Sequence, residues 1–149
     1  MNQPSFQKPS AIERLFNRVF GLLVGLGLGL SHNYVLQVRG RATGRMYSTP
    51  VNLLHVDGEK YLVAPRGEAH WVRNARASGE VWLKKGFRCE HFVVKELPVP
   101  ERPALLKEYL ERYRTTVQRY FTVPVGSDKE AFDGISERHP VFRLESKRD

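Results

Sequence analysis

The feature that most constrains the fold is a series of short β-type segments, several of which are joined to the next by a tight turn. The predicted strands cover residues 34–38, 45–56, 60–64, 80–84, 87–97 and 140–144. The turns between them carry glycine, and Asp57-Gly58 is the dipeptide most typical of a two-residue hairpin. Strands joined so closely pair antiparallel. About six of them in one small domain predict a closed or partly open β-barrel.

Three stretches interrupt the strands with helical spacing of apolar residues. Residues 70–77 form the first and end at Ser78-Gly79, and residues 128–135 form a short third piece. Between them a longer helix follows a proline-rich segment and carries one apolar stripe, made of Leu106, Tyr109, Leu110, Tyr113 and Val117. The fold class is therefore mainly β with flanking helices. The length of 149 residues corresponds to a single domain.

Residues 1–33 precede the strands and are expected to form an arm and an amphipathic helix, and residues 34–149 form the barrel domain. The helix is predicted to start at Ser10, because Glu13 completes the spacing of a capping box. The uncharged run at residues 19–30 is only 12 residues long, whereas a membrane span needs about 20. Two interpretations stay open for this segment: it packs on the protein's own core, or it docks on a membrane surface.

Charge is unevenly distributed along the chain, whose net charge is +8. Residues 39–88 hold ten Lys or Arg against four Asp or Glu, whereas residues 89–149 hold 11 of each. This excess favours an anionic partner, which could be nucleic acid, a membrane surface or a phosphorylated small molecule. The single cysteine, Cys89, excludes an internal disulfide and fits a reducing cytoplasm.

The sequence lacks the motifs of several common kinds of site. The chain contains neither a Gly-x-Ser-x-Gly elbow nor a Walker loop, and its Gly25-x-Gly27-x-Gly29 follows a predicted helix instead of a strand. Cys89 and His91 are not accompanied by a second pair of ligands, so no metal site is predicted.

Two stretches suit an anionic ligand. Residues 39–50 combine a glycine-bearing turn with three arginines and several hydroxyl side chains. Residues 63–74 run from a strand through a loop into a helix start, where backbone amides favour anions. Together the two stretches predict a pocket for a planar ring with an anionic tail.

The pattern Gly40-Arg41-x-Thr43-Gly44-x-x-x-x-Thr49-Pro50, with Trp71-x-x-Asn74 further on, resembles the deazaflavin-dependent nitroreductase family of mycobacteria and their relatives. The resemblance covers roughly residues 34–97, and residues 138–144 are similar to the family's last strand. It implies the split β-barrel that this family shares with flavin reductases and pyridoxamine phosphate oxidases. It also implies the cofactor coenzyme F-420, a deazaflavin with a phosphate and a glutamate tail.

By matching position, the resemblance assigns cofactor contacts to Arg41, Thr43, Gly44, Arg45, Tyr47, Thr49, Pro50, Ala64, Pro65, Arg66, Gly67, Trp71 and Asn74. The first loop would line the tail and ring, residues 64–67 the ring edge and phosphate, and Trp71 and Asn74 the ring. Arg45 and Arg66 would supply charge that other members carry at the positions of Ala42 and Tyr47. No catalytic residue is assigned, although Tyr47 is a candidate proton donor.

The implied function is a cytoplasmic oxidoreductase that transfers a hydride from reduced coenzyme F-420 to an apolar, electron-poor acceptor such as a quinone, nitroaromatic or enone. The acceptor would approach past residues 21–30 and the side of the molecule that carries Tyr109 and Tyr113. The expected partners are a small-molecule substrate and, through the N-terminal helix, a membrane surface, but no nucleic acid. The protein would be a monomer or homodimer. Two alternatives remain: an FMN-binding reductase of the same fold, and a basic binder of nucleic acid or membranes with no enzymatic activity.

Overall fold

The computed structural model describes residues 33–147, and the predicted N-terminal helix lies outside this range. Six antiparallel strands close into one barrel in the order β1-β2-β3-β6-β5-β4. They are β1 (Asn33–Arg39), β2 (Met46–Val56), β3 (Glu59–Val63), β4 (Glu80–Lys85), β5 (Arg88–Glu96) and β6 (Val141–Ser146). The barrel and its strands therefore confirm the sequence prediction, with strand ends shifted by one or two residues.

Turn chemistry explains where the chain reverses. Asp57 and Gly58 both have positive φ, 51° and 80°, which is the backbone that a tight two-residue hairpin requires between β2 and β3. Gly79 ends the first helix in the left-handed conformation and donates its N–H to the Ala75 carbonyl at 2.8 Å.

Three α-helices lie among the described residues: α1 (His70–Ser78), α2 (Pro103–Val117) and α3 (Lys129–Asp133). Helix α1 connects β3 to β4, and its Val72 and Ala75 are buried in the main core with Leu36, Leu62 and Phe92. Helix α2 buries all five residues of the predicted stripe in a second core that also contains Leu54 and Val141. The predicted third helix is shorter than expected, because it ends at Asp133 and a 3-10 turn, Ser136–Arg138, follows.

The antiparallel order gives the barrel two different ends. At the loop end, β1, β3 and β5 finish and β2, β4 and β6 begin, so that residues 40–45, residues 64–69 and helix α1 all lie there. At the hairpin end lie the Asp57-Gly58 and Gly86-Phe87 turns and the start of β1 at Asn33. Both stretches predicted to bind an anion are therefore at the loop end.

Candidate site at the loop end of the barrel

The loop between β1 and β2 is held in a compact turn by its own backbone. Gly40 donates its N–H to the Arg45 carbonyl at 2.7 Å, and Gly44 donates to the Gly40 carbonyl at 2.9 Å. The Thr43 hydroxyl accepts the Arg45 N–H at 3.2 Å and lies 3.3 Å from the Tyr47 hydroxyl. Gly44 has a φ of 75°, a conformation that glycine adopts without strain. The turn thus places Thr43, Arg45 and Tyr47 side by side in an exposed position.

Glycine is required at position 40 for a different reason. A Cβ atom built there would stand 2.5 Å from Cε2 of Tyr47 and 3.0 Å from the Thr43 hydroxyl. The absent side chain leaves the space in which the Tyr47 ring lies across the turn. Gly40 therefore sets the direction of the Tyr47 side chain.

Arg41 fastens this loop to helix α1. Its backbone N–H and its guanidinium Nη1 both donate to the Asn74 side-chain oxygen, at 3.1 and 2.7 Å. Asn74 is only 4% exposed, so its oxygen is a fixed acceptor under the loop. Two residues that lie 33 positions apart in sequence, and that the family resemblance selects separately, are thus in direct contact.

Strand β2 leaves one edge open next to this loop. Residues 46–52 pair with β1, where Thr49 lies opposite Leu36 and Pro50 opposite Val35, whereas β3 pairs only with residues 53–56. Among the described strands, none covers the other edge of residues 46–52. Tyr47 is 48% exposed and Thr49 and Pro50 are half-buried on this segment. A ligand at the loop end can therefore reach both backbone and side chains of β2.

The second predicted stretch leaves β3 as a tight bend. Gly67 has a φ of 85° and donates its N–H to the Ala64 carbonyl at 3.2 Å. Pro65 restricts the backbone within the bend, and Ala64 is anchored through its own N–H to the Pro140 carbonyl at 2.9 Å. The bend is consequently rigid at its start and turns the chain toward helix α1.

His139 contacts the same bend. This residue was not among those that the sequence predicted for the site. Its Nδ1 lies 3.2 Å from the Ala64 carbonyl, and its ring stacks on Phe121 with centroids 4.4 Å apart. Burial lowers the pKa of His139, and the nearby Arg138 lowers it further, although the hydrogen bond to Ala64 acts in the opposite direction. The neutral imidazole therefore donates to the carbonyl that positions residues 64–67.

Arg66 contacts the segment that follows α2. Its guanidinium donates to the Tyr120 hydroxyl at 2.8 Å and lies 5.1 Å from the centre of the Tyr120 ring. Arg119 also donates to that hydroxyl, with its guanidinium 4.7 Å from the ring. Two positive charges thus converge on one phenol, and neither Arg119 nor Tyr120 shows a spacing signal that sequence reasoning could have used.

Trp71 lies at the start of α1 and is half-buried. Its ring packs against Phe142 with centroids 5.8 Å apart, at the edge of the main core. The residue therefore contributes to the core and also presents the remainder of its ring at the loop end.

Tyr109 and Tyr113 do not form an accessible surface for an acceptor. Tyr109 is 2% exposed, and burial raises its pKa well above the usual range for a tyrosine. Tyr113 donates its hydroxyl to the Leu53 carbonyl at 2.6 Å in the second core. Because they pack helix α2 onto the barrel, these side chains do not offer an exposed wall for an acceptor, and residues 21–30, the other part of the expected route, lie outside the described residues.

The charges at the loop end fit a ligand with several negative groups. Residues 33–56 contain no Asp or Glu, whereas Arg41 and Arg45 are exposed there. The nearest acid on the second stretch, Glu68, is bound by Arg76 at 3.0 Å. Arginine forks and hydroxyls donate hydrogen bonds to phosphate and carboxylate oxygens. The donor set therefore matches a phosphate and glutamate tail.

No group of His, Cys, Asp and Glu that could hold a metal ion occurs within residues 33–147. Cys89 is exposed, and His91 stacks on Trp82 and lies 3.1 Å from Glu80. Likewise, none of the helices in this range is long and apolar enough to cross a membrane.

A closed barrel of six antiparallel strands with flanking helices is the split-barrel fold. A family model described as F420H(2)-dependent quinone reductase matches residues 13–128. The chain belongs to this family, which uses coenzyme F-420 as its cofactor and comprises oxidoreductases.

Solved structures share the fold at low sequence identity. An F420-H2 dependent reductase, FDR-A, is 20% identical with a TM-score of 0.52, over 77% of this chain and 95% of its own. A protein described as a domain-swapped dimer is 19% identical with a TM-score of 0.54, over 90% of this chain and 93% of its own. A putative pyridoxamine 5'-phosphate oxidase from Listeria innocua is 15% identical with a TM-score of 0.50, over 85% of this chain and 91% of its own. A search of curated proteins finds no match.

Proposed function

We propose that this protein reduces an apolar, electron-poor acceptor, such as a quinone, nitroaromatic or enone, with reduced coenzyme F-420. The observation that carries the proposal is the exposed, arginine-bearing β1–β2 loop, which lies in a stretch without Asp or Glu, in a chain of this family. When bound in its reduced form, coenzyme F-420 supplies a hydride, which together with one proton completes the two-electron reduction of a quinone.

The β1–β2 loop is proposed to bind the anionic tail. Arg41 and Arg45 supply positive charge, and the Thr43 hydroxyl and the backbone of Gly44 allow close approach of an oxyanion. Because Asn74 already orders Arg41, the loop loses little conformational freedom when a ligand binds. Arg66 is the second proposed source of positive charge, at the bend after β3.

The ring is proposed to lie between the open edge of β2 and the start of α1. Thr49 and Pro50 would contact it from the strand, and residues 64–67 would contact its edge through the backbone. Trp71 offers its exposed ring surface on the opposite side. This enclosure would exclude water from the ring face toward which an apolar acceptor must approach.

Tyr47 is the proposed proton donor. Its hydroxyl is exposed at the loop end and lies 3.3 Å from the Thr43 hydroxyl, which can hold it in one orientation. A donor that is also exposed to solvent can be reprotonated after each turnover. Replacement by Phe would therefore lower the rate of acceptor reduction and leave cofactor affinity nearly unchanged.

The test is titration of the purified protein with coenzyme F-420 and with FMN, followed by oxidation of the reduced deazaflavin by a simple quinone. We expect binding of coenzyme F-420, weak or no binding of FMN, and quinone-dependent oxidation. Arg41→Ala should weaken coenzyme F-420 binding by roughly tenfold or more, since a hydrogen bond to a charged group contributes about 1.5–3 kcal/mol. Arg88→Ala, at the hairpin end, is the matched control.

Failure to bind coenzyme F-420 would contradict the proposal, and tight FMN binding instead would favour the flavin alternative. A loss of affinity in Arg88→Ala equal to that in Arg41→Ala would argue against a localised tail site.

We also propose that the protein is cytoplasmic, contacts a membrane surface through its N-terminal segment, and exists as a monomer or homodimer. The uncharged run at residues 19–30 supports the membrane contact. Sedimentation equilibrium of the full chain tests the oligomeric state.

A further inference from the structure

The β4–β5 hairpin carries the most exposed aromatic side chain among the described residues. Phe87 is fully exposed, with a relative accessibility of 109%, and it stands at the tip of the turn that begins at Gly86. Burial of a phenylalanine ring in an apolar environment is favourable, and a fully exposed ring does not obtain this stabilisation. Its position therefore suits insertion into an apolar phase outside the protein.

Cations surround this aromatic tip. Lys84, Lys85 and Arg88 flank Phe87, and residues 81–89 contain no Asp or Glu. The Arg88 side chain is 85% exposed, and its contact with Glu90 is a long one at 3.9 Å. Lysine and arginine next to an apolar side chain are the combination that anionic lipid surfaces attract.

The start of β1 lies beside the same tip. Val35 pairs with Lys84, and continuing this register sets Asn33 beside Gly86. The Lys85 ammonium lies 5.0 Å from the centre of the Tyr34 ring, consistent with this arrangement. The chain enters the barrel at Asn33, and the uncharged run at residues 19–30 precedes this residue in sequence.

We propose that the β4–β5 hairpin is a membrane-docking element, in which Phe87 enters the interface of an anionic bilayer while Lys84, Lys85 and Arg88 contact the lipid headgroups. The inference rests on the peripheral membrane contact proposed above and adds a second, structurally defined contact to it. The hairpin end is opposite the loop end, so docking would leave the arginine-bearing loops facing water. A cofactor with a polyanionic tail, which an anionic surface repels, would then reach its site from the aqueous side.

The test is cosedimentation of the full chain with vesicles of phosphatidylcholine alone and of phosphatidylcholine mixed with phosphatidylglycerol. We expect binding to the anionic vesicles that weakens with added salt, and a loss of about tenfold or more in Phe87→Ser, with retention in Phe87→Leu. In Phe87→Trp, the tryptophan emission should shift to shorter wavelength when anionic vesicles are added.

Charge variants provide the matched control. The triple variant Lys84→Gln, Lys85→Gln, Arg88→Gln should release the protein from anionic vesicles. Arg114→Gln, Lys129→Gln, Arg138→Gln removes the same charge from exposed positions elsewhere and should bind as the unmodified chain does.

Equal vesicle binding by Phe87→Ser and the unmodified chain would overturn the hairpin inference. If, in that case, the double variant Leu22→Ser, Leu26→Ser no longer binds vesicles, only the proposed membrane contact of the N-terminal segment is supported. A further outcome would also overturn the inference. If the triple charge variant loses binding to an oligonucleotide, and Phe87→Ser changes binding to neither the oligonucleotide nor the vesicles, the hairpin binds nucleic acid instead of a membrane. Reduction of a water-soluble quinone without vesicles should be unchanged in every hairpin variant, which separates this test from that of the reductase proposal.

Discussion

At the scale of single residues, one buried amide oxygen orders the loop that is proposed to bind the cofactor tail. Asn74 accepts both the backbone N–H and the guanidinium of Arg41, so a change at position 74 acts on the loop without removing Arg41 itself. Arg41 therefore has two proposed roles. It holds the loop in place through Asn74, and its positive charge attracts an anion.

Two substitutions at position 74 distinguish these roles. Asn74→Ala removes the acceptor, and we expect a lower free energy of unfolding, by about 1–3 kcal/mol, together with weaker coenzyme F-420 binding. Asn74→Asp keeps an acceptor for Arg41 but neutralises its charge, so stability should hold while affinity falls. Urea unfolding and cofactor titration measure the two effects. Undiminished affinity in Asn74→Asp would mean that the charge of Arg41 does not contribute to binding.

His139 makes stability depend on pH. Its pKa is lowered from the ordinary value of 6.5, mainly by burial, so the unfolded chain binds a proton there more readily than the native protein does. The contribution of His139 is fully present above about pH 6.5 and is lost as the pH falls toward the native pKa.

We expect the free energy of unfolding to decrease as the pH is lowered from 7.5 to about 5.5, by at most about 1.4 kcal/mol per unit from this one group. His139→Asn keeps a donor for the Ala64 carbonyl but does not titrate, so its stability profile over this range should be flatter. Guanidinium unfolding at several pH values is the measurement. A slope unchanged by the substitution would contradict the assignment to His139.

At the scale of elements, the β1–β2 turn shows how a glycine directs a neighbouring ring. In Gly40→Ala the new methyl group would press on the Tyr47 ring, which is exposed and can swing away. The stability cost should therefore lie at the low end of overpacking effects, about 1 kcal/mol, whereas the contact between Tyr47 and Thr43 should be lost.

The double variant isolates this effect. If Gly40 acts through Tyr47, Gly40→Ala should reduce quinone turnover in the unmodified chain and have no further effect in a Tyr47→Phe background, where the hydroxyl is already absent. The rate of oxidation of the reduced deazaflavin is the measurement, with melting temperature as the control. Additive losses in the double variant would indicate that Gly40 serves the loop in another way.

Elements with strong local signals were predicted well from the sequence. Asp57-Gly58 encodes a hairpin in its backbone preferences, and the stripe of α2 from Leu106 to Val117 has a period that only a helix satisfies. A closed or partly open barrel was predicted because short connections join three antiparallel pairs of strands, and the six strands close into a barrel.

Contacts between residues far apart in the chain could not be predicted from local sequence patterns. Nothing in the spacing of Arg66 indicates that it meets Tyr120, which lies 54 residues further on. His139 carries no periodic signal. Its partner Ala64 becomes a neighbour only when β3 and β6 pair, and Phe121 only when the segment after α2 packs into the second core. The cofactor-contacting residues themselves stay predictions, since their assignment came from a family pattern and not from local physics.

At the scale of the whole molecule, the excess charge can act in two ways. A diffuse field would attract any anion wherever the cations stand, whereas a localised site requires guanidiniums at the loop end. The barrel places exposed cations at both ends, which makes the two cases separable at constant net charge.

Two double variants remove the same charge from opposite ends of the barrel. One combines Arg41→Ala with Arg45→Ala at the loop end, and the other combines Lys84→Ala with Arg88→Ala at the hairpin end. We expect the first pair to weaken coenzyme F-420 binding by tenfold or more and the second by less than about twofold, because exposed charges beyond a Debye length of about 10 Å are screened at 0.1 M salt. Titration of a deazaflavin without phosphate and glutamates should show little effect of either pair, since only the tail needs the charge. Equal losses in the two pairs would mean that the positive field of the whole molecule, and not the loop end of the barrel, attracts the cofactor.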